Sequence, residues 1–154
     1  RDDALLLDAA TRRHLELETS LSGRDDATLA GLLDRTATAM GGRELRRWMH
    51  RPLRDRATLE RRYHAVGALI DAGSADGLQA LLGGIGDVER VLARIALRTA
   101  RPRDLAALRE ALGAVPALQA ALAGLDSPLL DAARGDLAGR PDLHGLLTRA
   151  IVEA

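Results

Sequence analysis

Six arginines fall into two spaced sets: Arg43, Arg46 and Arg47, then Arg90, Arg94 and Arg98. The second set recurs at i, i+4 and i+8, which lines guanidinium groups along one flank of a helix. Arg12 and Arg13 form a smaller third group. A guanidinium is always charged, and its planar fork of donors matches a phosphate or a carboxylate. Two kinds of work suit these rows. They can face a DNA backbone or a neighbouring domain, or they can pair with acids of the same chain. The charge balance permits both. All 22 basic residues are Arg and they meet 22 acids, so the net charge is zero. The signs alternate in blocks: residues 1–34 are acidic, 43–62 basic, 63–89 acidic and 90–109 basic. Blocks of that kind neutralise one another when helices pack antiparallel.

Other chemistries find little support. His14, His50, His64 and His144 never lie three or four residues apart, and there is no Cys, so neither a zinc motif nor a disulfide is written in the chain. Ser20, Ser22, Ser74 and Ser127 sit among Gly, Asp and Pro, outside any nucleophile-elbow pattern. Asp25-Asp26 reads as a pair of loop acids rather than an acid–base dyad. Gly83-Gly84-Ile85-Gly86 lacks the Lys-Ser/Thr of a phosphate-binding loop and follows no strand. With one Trp, one Tyr and no Phe, there are few rings on which bases could stack.

The elements that position the arginines are helical. Met40–Leu53 holds the only Trp, a Gly-Gly and a Pro. Leu45, Trp48 and Met49 share a face at i, i+3 and i+4, leaving Arg43, Arg46 and Arg47 mostly on the remaining surface. Gly41-Gly42 is expected to turn the chain just before this helix, and Pro52 to end it near His50. Trp48 is expected to be a buried wedge between longer helices. Thr28–Arg35 offers Leu29, Leu32 and Leu33. Arg56–Ala72 follows Asp55 as cap and ends at Gly73, with Leu59, Tyr63, Val66 and Ile70 as its stripe. Ser74–Leu82 is a short helix. Asp87 caps the next, which buries Val88, Val91, Leu92 and Ile95. Pro102 opens a helix whose stripe is Leu105, Leu108, Leu112 and Val115, with a kink at Pro116 before Leu118 and Leu122. Pro128–Arg134 and Pro141–Val152 close the chain, the last with Leu143, Leu146, Leu147, Ala150 and Ile151 inside. Leu45, Trp48, Met49, Pro52 and Leu108 are the expected structural anchors.

At 154 residues the chain reads as a single domain, 1–154, long enough for a real core. Apolar residues make up 47%, mostly Leu and Ala, and β-branched residues are sparse. The expected class is all-α: an irregular multi-helix bundle. Alternation at Leu15–Glu18 predicts a small strand–turn–strand entry at the N-terminus, around a single helical turn that Asp8 could cap. No apolar run suggests a membrane span and no signal peptide is legible. The chain begins without Met, which suggests a piece of a longer protein.

Four stretches carry a family resemblance. Met40–Leu53, MGGRELRRWMHRPL, resembles a segment of the lever (core) domain, domain III, of the MutS DNA mismatch-repair family. Leu7–Leu17, LDAATRRHLEL, resembles the entry to that domain, and Thr28–Thr36, TLAGLLDRT, its first helix. Gly86–Leu108 is similar to its helix–Pro–helix unit. All four keep the family's order. The resemblance implies a non-catalytic lever segment that links DNA-holding domains to a distant ATPase domain. It implies ATP and Mg2+ for the parent protein but no cofactor on this segment. It further implies neighbouring MutS-like domains and mismatched duplex DNA as partners, a homodimeric parent, and a bacterial cytoplasmic setting at the nucleoid. No catalytic, nucleotide-binding or metal-ligating residue of the family maps here. The competing reading is a free-standing Arg-rich helical DNA-binding module.

Overall fold

The computed structural model describes residues 4–151, and these fold into helices joined by short loops. The chain divides into two compact units, Arg1–Glu60 and Arg61–Ala154. The all-α expectation holds. The strand–turn–strand entry does not, because among the described residues no strand forms. The nearest thing to one is an isolated antiparallel bridge between Ala4 and Leu53, with the Leu5 amide donating to the Pro52 carbonyl at 2.8 Å.

In the first unit, helix α1 (Ala9–His14) starts where Asp8 Oδ1 accepts the Thr11 amide at 2.6 Å. It stops at Glu16, which takes a positive φ of 46°. The Glu16 amide returns to the Arg13 carbonyl and the Leu17 amide to the Arg12 carbonyl, the paired bonds of a left-handed helix stop. That stop explains the failed strand. The Leu15–Glu18 alternation is a reversal that buries Leu17 and leaves Leu15 outside.

A 3-10 turn (Asp25–Ala27) leads into α2 (Leu29–Leu33), capped by the buried Thr28 through the Gly31 amide at 3.0 Å. The side that packs is Ala30. Leu29, Leu32 and Leu33, the expected inner face, are all exposed. Helix α3 (Ala39–His50) begins one turn earlier than the glycine pair suggested, because Thr38 Oγ1 accepts the Gly41 amide at 2.9 Å. Gly41 and Gly42 are therefore inside the first turn. Gly42 is buried there for lack of room: a Cβ would lie 3.1 Å from Arg46 Nη1 and 3.3 Å from Thr36 Oγ1. The helix ends at His50, ahead of Pro52, as its ring requires.

Helix α4 (Arg56–Asp71) runs from the end of the first unit into the second. Asp55 caps it through the Thr58 amide at 3.0 Å. Gly73, at φ +60°, ends it with the same two-bond stop: its amide reaches the Ile70 carbonyl and the Ser74 amide reaches Leu69. The expected stripe of α4 is displaced. Ala65 is buried, whereas Tyr63, Val66 and Ile70 are exposed.

The second unit continues with α5 (Ala75–Gly83), α6 (Val88–Ala96), α7 (Pro102–Leu122), α8 (Pro128–Asp136) and α9 (Pro141–Ala150). Val152, the expected end of the last helix, lies outside the described residues. Helix α7 is the hub, packing against α5, α6, α8 and α9. It runs as one 21-residue element through Pro116, not as two segments. It is also long and apolar enough, by length and composition, to cross a membrane, which corrects the sequence expectation. Its packing partners and its mid-course Arg109 and Glu110 are those of a core helix. Val91, Leu108 and Leu147 form the buried centre, one residue each from α6, α7 and α9. Val88, Ile95, Leu105, Leu112, Leu143 and Ile151 close around them, while Leu92, Leu146 and Ala150 face outward. Buried Ser127 caps α8.

Candidate functional site

The two arginine rows resolve differently. On α6, Arg94 grips Asp104 at the start of α7 through two parallel bonds, Nε–Oδ2 at 3.0 Å and Nη2–Oδ1 at 2.7 Å. Asp104 is buried, and Oδ2 also accepts the Arg101 amide at 2.9 Å, which caps α7. That amide bond first, and Arg94 with it, holds the Asp104 carboxyl below its ordinary value. Arg90 is exposed. Arg98 is not on the helix: α6 ends at Ala96, and Arg98 takes φ +56°. Its amide returns to Ile95 and that of Thr99 to Arg94, a third two-bond helix stop with an arginine where glycine is favoured. The expected i, i+4, i+8 row therefore ends at its second member.

In the first unit, Arg46 is the centre of a small charge network. Its Nη1 donates to Asp34 Oδ2 at 3.0 Å and to the Gly42 carbonyl at 3.0 Å. Its Nε lies 3.3 Å from Glu18 Oε1, and the other oxygen of Glu18 is 2.6 Å from His50 Nε2. Asp34 takes the Thr36 hydroxyl at 2.6 Å and the Thr36 amide at 3.1 Å, which with Arg46 lower its pKa. One guanidinium thus ties α3 to the loop before α2 and to the C-cap of α2. Arg47 pairs with Glu44 at 2.7 Å, and Arg43 is exposed but not without partners.

Of the expected anchors, Leu108 is in the core, while Leu45, Met49 and Pro52 are half-buried. Trp48 is not enclosed. It is 43% exposed, with Nε1 donating to Glu44 Oε1 at 2.5 Å. The reason lies in its immediate helical neighbourhood: Glu44, one turn earlier on the same face, gives the indole N–H a wet acceptor, so the ring lies along the helix surface. Among the described residues, no group of three or more His, Asp or Glu is placed to hold a metal ion.

The MutS domain III family matches residues 10–154, nearly the whole chain. The chain belongs to that family. MutS domain III is a mismatch-repair domain, and the ATPase site of MutS lies in a different domain. In this MutS domain III, three of the six candidate arginines are engaged within the chain, two of them at the surface and one partly buried. Arg46, Arg47 and Arg94 serve ion pairs. The acids that receive two of them escaped sequence reasoning. Asp104 stands two residues after Pro102, in the first turn of α7, but nothing local links it to Arg94 ten residues earlier. Glu18 and Asp34 meet Arg46 across 28 and 12 positions, beyond any helical period.

Proposed function

We propose that this MutS domain III works as a mechanical link in a mismatch-repair ATPase, passing conformational change between domains that hold DNA and the domain that turns over nucleotide. The observation that carries the reading is the Arg94–Asp104 clamp. It fixes the end of α6 to the first turn of α7, the helix on which the second unit is built. A relay needs elements whose packing is discrete, so that displacement at one end is not absorbed on the way. A bidentate, partly buried ion pair at a helix junction, backed by the Val91–Leu108–Leu147 core, is a stiff joint of that kind. Duplex DNA and neighbouring MutS domains are then partners of the parent protein, and ATP with Mg2+ acts elsewhere in it.

The test is made in a full-length parent. Leu108→Ala opens a cavity in the core without touching either ligand site. Basal nucleotide turnover and mismatch affinity should survive. The effect of mismatched duplex on nucleotide affinity, and of nucleotide on duplex affinity, should weaken by one shared factor. Unchanged coupling in a folded variant overturns the proposal. A salt series on the isolated chain separates it from a DNA-binding module: phosphate contacts give a steep loss of affinity with salt, and a link domain binds little at any salt.

A further inference from the structure

Two clefts flank α1 and share Ala9 and Arg13. One, of about 360 Å3, is lined by Arg12, Arg13, Thr19 and His50 above the buried Leu17. The other, of about 500 Å3, is walled by Ala9, Ala10, His14 and the exposed Leu21. The arginines here differ from those of the charge network. Neither Arg12 nor Arg13 has an ion-paired or hydrogen-bonded side-chain partner among the described residues; Arg12 acts on Asp8 only through space. Glu18 also lines the first cleft, but its carboxylate is taken up by Arg46 and His50. A cation near the end of a helix complements its dipole. That accounts for the sign of Arg12 and Arg13, not for their lining a cleft with no side-chain hydrogen bond or ion pair among the described residues.

We infer that α1 is a docking site for a protein segment that carries a carboxylate beside an aliphatic side chain, the acid held by Arg12 and Arg13 and the aliphatic group seated against Ala9, Ala10 and Leu21. The charge of the two arginines calls for an anion, and the adjoining cleft calls for an apolar group at the same time. A nucleic-acid backbone supplies the first and not the second. It is also disfavoured by its surroundings: residues 1–34 carry eight acids against four arginines, an excess that opposes a polyanion more strongly than a single carboxylate. The inference stands apart from the proposed relay, because it concerns a partner of the first unit and not transmission.

The experiment uses the 15N-labelled 154-residue chain and a blocked Glu-Leu dipeptide, with blocked Gln-Leu, blocked Glu-Ser and a short DNA duplex as comparisons. Glu-Leu should move the amides of α1 and Leu21 saturably. Gln-Leu should bind about tenfold more weakly or worse, the size of one lost charge-assisted hydrogen bond. Arg13→Gln should produce the same loss, and Leu21→Ser should abolish the preference for Glu-Leu over Glu-Ser. Both substitutions are on exposed side chains, and unmoved amides of the second unit report that each variant is folded. Equal binding of Gln-Leu, absence of saturable shifts with Glu-Leu, or tighter binding of the duplex at these same amides overturns the inference.

Discussion

Arg94 and Asp104 are ten residues apart in sequence and joined by two bonds of 3.0 and 2.7 Å, and the same carboxylate caps the helix that it opens. Asp104→Ala removes all three acceptor contacts together and leaves the Arg94 guanidinium half-buried without its counter-ion. Asp104→Asn keeps an oxygen for the Arg101 amide but loses the charge. Thermal unfolding should therefore rank native above Asn above Ala. Equal midpoints for the two variants would show that the cap contributes nothing beside the ion pair.

The same carboxylates set an acid limit. Asp8, Asp34 and Asp104 are each held below the ordinary 3.8, chiefly by the Thr11 amide, the Thr36 hydroxyl and the Arg101 amide respectively. Each folded value is below its unfolded one, so the unfolded chain binds protons first as pH falls. Their contribution is complete above about pH 5 and is lost as pH drops through the folded values. The urea midpoint should be level above that region and decline below it, and Asp104→Asn should make the decline shallower. An unchanged acid limb in that variant would count against the assignment.

Leu108 is 6% exposed and touches the centre of the second unit's core. Leu108→Ala should destabilise by about 2–5 kcal/mol. Denaturant unfolding measures it directly, and a loss below about 1 kcal/mol would mean that the core collapses around the cavity.

Trp48 should behave as a surface ring. Its replacement by Ala should cost no more than about 1 kcal/mol. As the only Trp, it also reports on itself: its emission should be solvent-like and readily quenched by iodide. Blue-shifted, protected emission from the isolated chain would contradict the exposed position.

Arg98 occupies a left-handed position that Gly73 fills without strain at the equivalent stop of α4. Arg98→Gly should stabilise the second unit by about 1 kcal/mol, and Gly73→Ala should destabilise by a similar amount. Urea titrations of both variants check the pair. Opposite signs are the point of the comparison, and a destabilised Arg98→Gly would show that the arginine side chain makes contacts worth more than the strain.

What was legible in the sequence was whatever short-range physics controls. Helix class, the caps at Asp8, Asp55 and Asp87, the stop at Gly73 and the end before Pro52 all rest on groups within a few residues. The misses share one cause. Leu29, Leu32 and Leu33, the Tyr63–Val66–Ile70 stripe and Trp48 were read as inward because they are apolar and periodic. Periodicity shows that a face exists; it does not show that the chain itself supplies the partner. Glu16 and Arg98 are invisible as helix stops because neither residue prefers a positive φ. The acids that neutralise Arg46 and Arg94 are chosen by packing across helices, which no local pattern encodes.

Helix α7 runs unbroken through Pro116, and that continuity has a mechanical consequence. At roughly 1.5 Å per residue it is a strut about 30 Å long. Proline removes one rung from the ladder, the donor that would answer the Leu112 carbonyl. Pro116 itself is exposed, so the missing rung lies in a turn that reaches the surface. The strut is thus anchored at its first turn by Asp104, where it is hardest to bend, and is softest past its midpoint. If the second unit bends under load, the rung lost at Pro116 makes that turn the cheapest place for α7 to bend.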